Sequence, residues 1–159
     1  MEQSLKPRLI LLFGRICSGK SSYMKDKKRL VVSDIVRQLI NSTDRTQLQN
    51  TMHLDEQIGN SICAYIRTAF DSWNFDELVV DGIRQVSIVH QVVENFQDAE
   101  LIWLEVPTEE RKRRYENRKD KKDIELFEIA DNKPIELECQ NIFSTFKDRL
   151  TIIDNYGIN

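Results

Sequence analysis

The sequence predicts an α/β fold, a parallel sheet with helices on both faces, and three observations carry that expectation. Short apolar runs alternate with stretches of helical period along the whole chain, the pattern of strands joined by crossover helices. The apolar run Leu9-Ile10-Leu11-Leu12-Phe13 leads directly into the glycine loop Gly14 to Ser21 and then into a polar stretch able to begin a helix. The chain has 159 residues, one domain by size, and long enough to bury about two-thirds of its unfolded surface.

The strand candidates are Arg8 to Phe13, Leu30 to Val32, Glu77 to Val80, Leu101 to Val106 and Leu150 to Ile153. Between Leu54 and Ser72, residues Ile58, Ile62, Ile66, Ala69 and Phe70 recur at three- and four-residue spacing and mark one buried helical stripe. Gln85 to Phe96 repeats the pattern through Val86, Val89, Val92, Val93 and Phe96. Thr108, after Pro107, is the expected N-cap of the next helix, with Glu109 and Glu110 at its positive end. Two more helical stretches are expected in Asp123 to Lys147, broken around Asn132-Lys133-Pro134 because proline disfavours helical geometry in the residue before it.

Composition narrows the function. The formal charge of -3 gives no global basic excess for non-specific nucleic-acid binding. From Arg111 to Lys122, however, eight basic residues face Glu116 and Asp120, a local +6 that leaves -9 elsewhere. An anionic ligand is the natural counterpart of that cluster. Cys17, Cys63 and Cys139 are odd in number and widely spaced, which fits neither a disulfide framework nor a zinc site, so a reducing, cytoplasmic compartment is expected. Cys17 lies in the glycine loop, where the local dipole could lower its pKa, although a filler role suits it better. His53 and His90 have no metal-like spacing, Trp73 and Trp103 read as packing residues, and no segment is expected to cross a membrane.

Gly14-Arg15-Ile16-Cys17-Ser18-Gly19-Lys20-Ser21 fits G-x-x-x-x-G-K-[ST]. A strand feeding such a loop aims several backbone N–H groups at one point, a nest for polyphosphate. Gly14, Arg15, Ile16, Cys17, Ser18, Gly19, Lys20, Ser21 and Ser22 are therefore the candidate cradle for ATP. Lys20 reaches the β- and γ-phosphate oxygens in that reading, and the Ser21 hydroxyl is a ligand to Mg2+.

A phosphate cradle does not say what happens to the nucleotide, so polar residues at strand ends carry the rest. Val79-Val80-Asp81-Gly82 ends an apolar strand in a carboxylate at the edge where ligands bind in open α/β sheets, making Asp81 the second metal candidate. Asp34 and Arg37 stand three apart on a starting helix. They suit orienting an acceptor, with Asp34 taking a proton from a hydroxyl and Arg37 binding a phosphate. A surface ion pair worth less than about 1 kcal/mol is an equal reading of the same spacing. Arg84 follows Asp81, while Arg111, Arg114 and Arg118 share one helical face, positioned to stabilise charge on a transferring phosphoryl group and to form a lid over about residues 111–123.

In this order, the groups resemble the nucleoside monophosphate kinase branch of the P-loop kinases, adenylate kinases and dephospho-coenzyme-A-kinase-like proteins among them. Ser33-Asp34-Ile35-Val36-Arg37 is similar to their Gly-Asp-x-Leu-Arg acceptor motif, and Asp81-Gly82-Ile83-Arg84-Gln85 to their Asp-Gly-Phe-Pro-Arg, with Arg84 one residue earlier. Arg45-Thr46-Gln47-Leu48-Gln49 resembles an Arg-x-x-Leu-Gln element of bacteriophage deoxynucleoside monophosphate kinases. The resemblance implies a three-layer P-loop fold with strand order 2-3-1-4-5. Arg37 and Arg84 would then hold an acceptor phosphate, with Arg114 and Arg118 closing on the triphosphate. The Asp34-x-x-Arg37 spacing also matches polynucleotide 5′-hydroxyl kinases, which would make Asp34 a general base and Arg37 a transition-state clamp. Three functions stay open: a kinase of (deoxy)nucleoside monophosphates, a kinase of hydroxyls on nucleosides or nucleic acid, including 5-hydroxymethyl-pyrimidine DNA, and a nucleotide-binding switch. Monomer and homodimer are both open.

Overall fold

The computed structural model describes residues 7–41, 52–72, 77–118 and 125–156. Expectations placed on Arg45 to Gln49, on Trp73 and on the lid residues Lys119 to Lys122 lie outside these. Five parallel strands, β1 (Arg8–Phe13), β2 (Lys28–Val31), β3 (Glu77–Asp81), β4 (Glu100–Glu105) and β5 (Leu150–Asp154), form one sheet in the order β2-β3-β1-β4-β5. The expected strand order is the observed one. Its connecting helices are α1 (Val32–Ile40), α2 (Asp55–Ser72), α3 (Val86–Asn95), α4 (Thr108–Glu116), α5 (Phe127–Asp131) and α6 (Pro134–Thr145). Strand β2 starts earlier than its apolar run, at Lys28, because an edge strand with one paired side tolerates charged residues.

Side chains alternate across the sheet, so each strand feeds two cores. Leu9, Leu11 and Phe13 of β1 face the larger core with Ile62 and Ile66 of α2, Ile88 and Val92 of α3, and Ile142 of α6. These side chains are at most 4% exposed, and burial of each contributes roughly 1.5–3 kcal/mol. The helical stripe expected on α2 is the one buried. Trp103 packs in this core edge-on against Phe143, while His90 is exposed and stacks on Phe146.

Ile10, Leu12, Val79, Ile102 and Leu104 face the other way, covered by Tyr23, Met24 and Ile153. Right-handed crossovers explain the imbalance. In this strand order only the β1 to β2 connection runs leftward, so it alone crosses the second face. There the expected helix after the glycine loop is replaced by turns over residues 20–26. Ser22 and Tyr23 N–H both donate to Gly19 O, Met24 turns left-handed at φ 52°, and the Arg29 guanidinium donates to the Lys20 and Tyr23 carbonyls. That side chain takes up carbonyls a longer helix would have paired with its own N–H groups. Thr108 is a second difference: it opens α4 instead of capping it, with Pro107 at the cap position and no side-chain cap bond.

Candidate functional site

The loop between β1 and the turns wraps a cavity of about 320 Å³ at the carboxyl edge of the sheet. Its backbone explains two glycines. A Cβ on Gly14 would collide with the Ser18 side chain, and Gly19 sits at φ +90°, against Asn155 Nδ2. Cys17 is also left-handed, at φ 63°. The Ser18 hydroxyl, in the wall of the cavity, is buried without a hydrogen-bond partner, a vacant donor suited to an anion's oxygen.

Lys20 Nζ donates to Gly14 O at 2.8 Å and Arg15 O at 3.3 Å, spanning the loop and retaining a third proton for an anion. Burial pushes its pKa below the ordinary lysine value, and the nearby Arg84 charge adds to that push. Ser21 and Asp81 line the same cavity. Asp81 is 8% exposed and accepts from Arg29 Nη1 on Oδ2 at 2.9 Å. Among the described residues no three His, Cys, Asp or Glu side chains converge as a resident metal cage. One hydroxyl and one carboxylate fit a hard cation that arrives with phosphate and water supplying its other ligands.

The same cavity is lined by Ser33, Val36, Arg37, Arg84, Gln85 and Arg118. Asp34 is not in that lining: its carboxylate, 62% exposed, accepts from Arg37 Nη1 at 2.6 Å. Gln85, 4% exposed, accepts the Arg84 N–H on Oε1. Arg84 Nη1 donates to Glu136 Oε2 at 2.6 Å, and Glu136 Oε1 accepts the Ile16 N–H at 2.6 Å. One carboxylate of α6, 2% exposed, thereby ties the glycine loop to Arg84.

Arg111 and Arg114 of α4, and Arg118 two residues past its end, all turn toward the loop. Arg111 is buried and donates to Asp131 and to Ile16 O. Arg114 donates to Cys17 O and Asn155 O. Arg118 donates to Cys17 Sγ at 2.8 Å and lies over the Tyr115 ring. Burial nevertheless raises the Cys17 pKa against the pull of Arg118 and Lys20, which fits the filler role better than the reactive one. Arg15 faces away from the cavity, donating to Asp131 and Gln140. Arg114 and Ser22 line a second hollow of about 660 Å³ with Tyr23, Asn155 and Tyr156, on the other side of Gly19.

Arg29, Asp131, Glu136 and Asn155 are site residues that the sequence reading misses. Arg29 and Asp81 are 52 positions apart, and Ile16 and Glu136 are 120 apart. Asn155 Nδ2 donates to Ser18 O over a separation of 137. Only the fold brings such pairs together, because Pro134 followed by an acidic residue in the first turn is an ordinary helix start.

A family described as AAA domain matches residues 10–136. Among solved structures, a chain in the "Structure of the Pnkp1/Rnl/Hen1 RNA repair complex" superposes with a TM-score of 0.61 at 17% identity. The alignment covers 98% of the present chain and 49% of that one, so the present chain spans about half the length of its structural relative. At that identity the likeness is one of fold. No curated protein matches the sequence.

Proposed function

We propose that this chain, which belongs to the AAA domain family, is an ATP-dependent kinase that transfers the γ-phosphoryl group to a nucleotide-type acceptor. One observation carries the reading: Lys20 and Ser21 of the glycine loop line one cavity together with Arg37 and Arg84. Donor and acceptor phosphates would then meet in a single cavity, which turns a bimolecular reaction into a near-unimolecular one. The proposal takes residues 1–159 as one kinase domain with a lid-like segment over about 111–123.

Lys20 would carry charge to the β- and γ-phosphate oxygens, and the loop N–H groups would hold the β-phosphate. Magnesium supplies charge neutralisation between those oxygens when it is bound with the nucleotide; Ser21, and Asp81 through water, would be its protein contacts. The nucleoside end leaves past Ser22 toward the hollow between Arg114 and Asn155. An acceptor oxygen attacks the γ-phosphorus, the bond from that phosphorus to the bridging oxygen breaks, and ADP departs. Arg37, Arg84 and Arg118 stabilise the charge spread over the transferring oxygens.

A phosphate acceptor, a (deoxy)nucleoside monophosphate, suits this cavity best. A phosphate needs cations and no general base, and the lining holds arginines while the Asp34 carboxylate stays outside it. A hydroxyl acceptor on nucleic acid is the second reading. It is favoured by the Asp34-x-x-Arg37 spacing and by the fold likeness to a chain of an RNA repair complex. The acceptor-side arginines speak against a switch that only binds nucleotide.

The test is transfer of label from γ-labelled ATP to nucleoside monophosphates and to DNA and RNA 5′-hydroxyl ends, by wild type and Asp34→Asn. Labelled nucleoside diphosphate, with kcat in Asp34→Asn within about tenfold of wild type, supports the phosphate acceptor. Labelled polymer, lost by about a hundredfold or more in Asp34→Asn, supports the hydroxyl acceptor in its place.

A further inference from the structure

Arg29, on β2, has no part in the chemistry above. Its side chain is 14% exposed. Nη1 donates to Asp81 Oδ2 at 2.9 Å and to Lys20 O at 3.0 Å, and Nη2 donates to Tyr23 O. One guanidinium therefore joins the carboxylate that ends β3, the backbone of the loop lysine, and the turn by which the loop leaves the site. The planar fork of arginine can serve three acceptors in fixed directions, which a lysine ammonium on a flexible stem cannot do.

We propose that Arg29 is a positioning residue for donor binding. It fixes Lys20 and Ser21 from behind the loop, in the place of the absent helix, and it compensates Asp81 so that a triphosphate meets no bare carboxylate. This rests on the reading that the loop takes a nucleoside triphosphate. Arg29 occupies Oδ2 of Asp81, leaving Oδ1 as the oxygen for a hydrated cation. Without Arg29, the nearly buried Asp81 carboxylate stands beside the phosphates with no guanidinium against it, and magnesium is the cation left to offset it. Loss of Arg29 should therefore weaken magnesium-free binding more than magnesium-bound binding, which a purely architectural role would not do.

The experiment is equilibrium binding of ATP to the full chain, in EDTA and in magnesium, for wild type, Arg29→Met, Arg29→Lys and the double variant Arg29→Met/Asp81→Asn. Arg29→Met is expected to lose about tenfold more affinity in EDTA than in magnesium. The double variant should regain most of that excess, and Arg29→Lys, which keeps the charge but not the planar fork, should lose affinity by factors that agree within about threefold between EDTA and magnesium. Equal weakening in both buffers, without recovery in the double variant, would overturn the proposal while leaving the donor site intact. If circular dichroism shows Arg29→Met unfolded, Arg29→Lys decides: a selective loss in EDTA greater than about tenfold overturns the compensating role, and a loss equal in the two buffers supports it. Wild type that binds ATP in neither buffer would overturn the donor-site reading itself, and this proposal with it.

Discussion

Lys20 stands in surroundings that disfavour its charge. Burial holds its pKa below the ordinary lysine value, and a bound phosphate supplies the compensation that water no longer does. The sign of the linkage follows. A lysine whose folded pKa is depressed costs stability while it is protonated, and that cost is relieved as pH rises through the folded value toward the unfolded one near 10.4. Nucleotide affinity runs the opposite way, because binding needs the proton. Affinity should therefore decline with rising pH from a point below about 10.4. In Lys20→Arg, whose guanidinium keeps its proton, it should be weaker throughout but flat over the same range. Titration calorimetry across that range checks this; equal slopes in the two proteins would contradict it. The loop motif made Lys20 legible at once, since spacing alone defines it. Glu136 was not legible, because what makes it functional is the Ile16 N–H 120 positions away.

Among the elements, α5 and α6 act as anchors for the glycine loop. Asp131 at the end of α5 accepts from Arg15 and Arg111, and Glu136 in the first turn of α6 accepts from Ile16 N–H and Arg84. These carboxylates are predicted to separate when changed. Asp131→Asn leaves the buried Arg111 and the largely buried Arg15 poorly compensated and should lower stability to urea by about 3–5 kcal/mol. Glu136→Gln keeps an acceptor for Ile16 N–H but loosens Arg84, so it should raise the acceptor KM several-fold at a smaller stability cost. Comparable unfolding with unchanged KM would contradict the second assignment. Element types were readable wherever apolar period was long, as in α2 and α3, and the break before Pro134 falls between α5 and α6 as expected. The post-loop helix was misread because only residues 21–27 separate the loop lysine from β2, and Arg29 supplies from outside the segment the donors that end it.

At the scale of the molecule, parallel strands and right-handed crossovers bring every polar strand end to one edge, which is why widely separated motifs share one cavity. The strand order was legible through the resemblance carried by the loop and the two acceptor-side motifs. The one-sided distribution of helices was not, because it depends on a single crossover being turns. The same architecture predicts coupling of donor and acceptor chemistry: an acceptor should be required for rapid consumption of ATP. The most direct measurement follows ADP release and labelled acceptor together, using γ-labelled ATP, for wild type and for Arg84→Gln, with nucleotide binding measured alongside. One labelled acceptor for each ADP in wild type, and a loss of transfer by about a hundredfold or more in Arg84→Gln with ATP affinity retained, is the predicted result. Label released only as free phosphate, unstimulated by any nucleotide-type acceptor, would contradict the kinase.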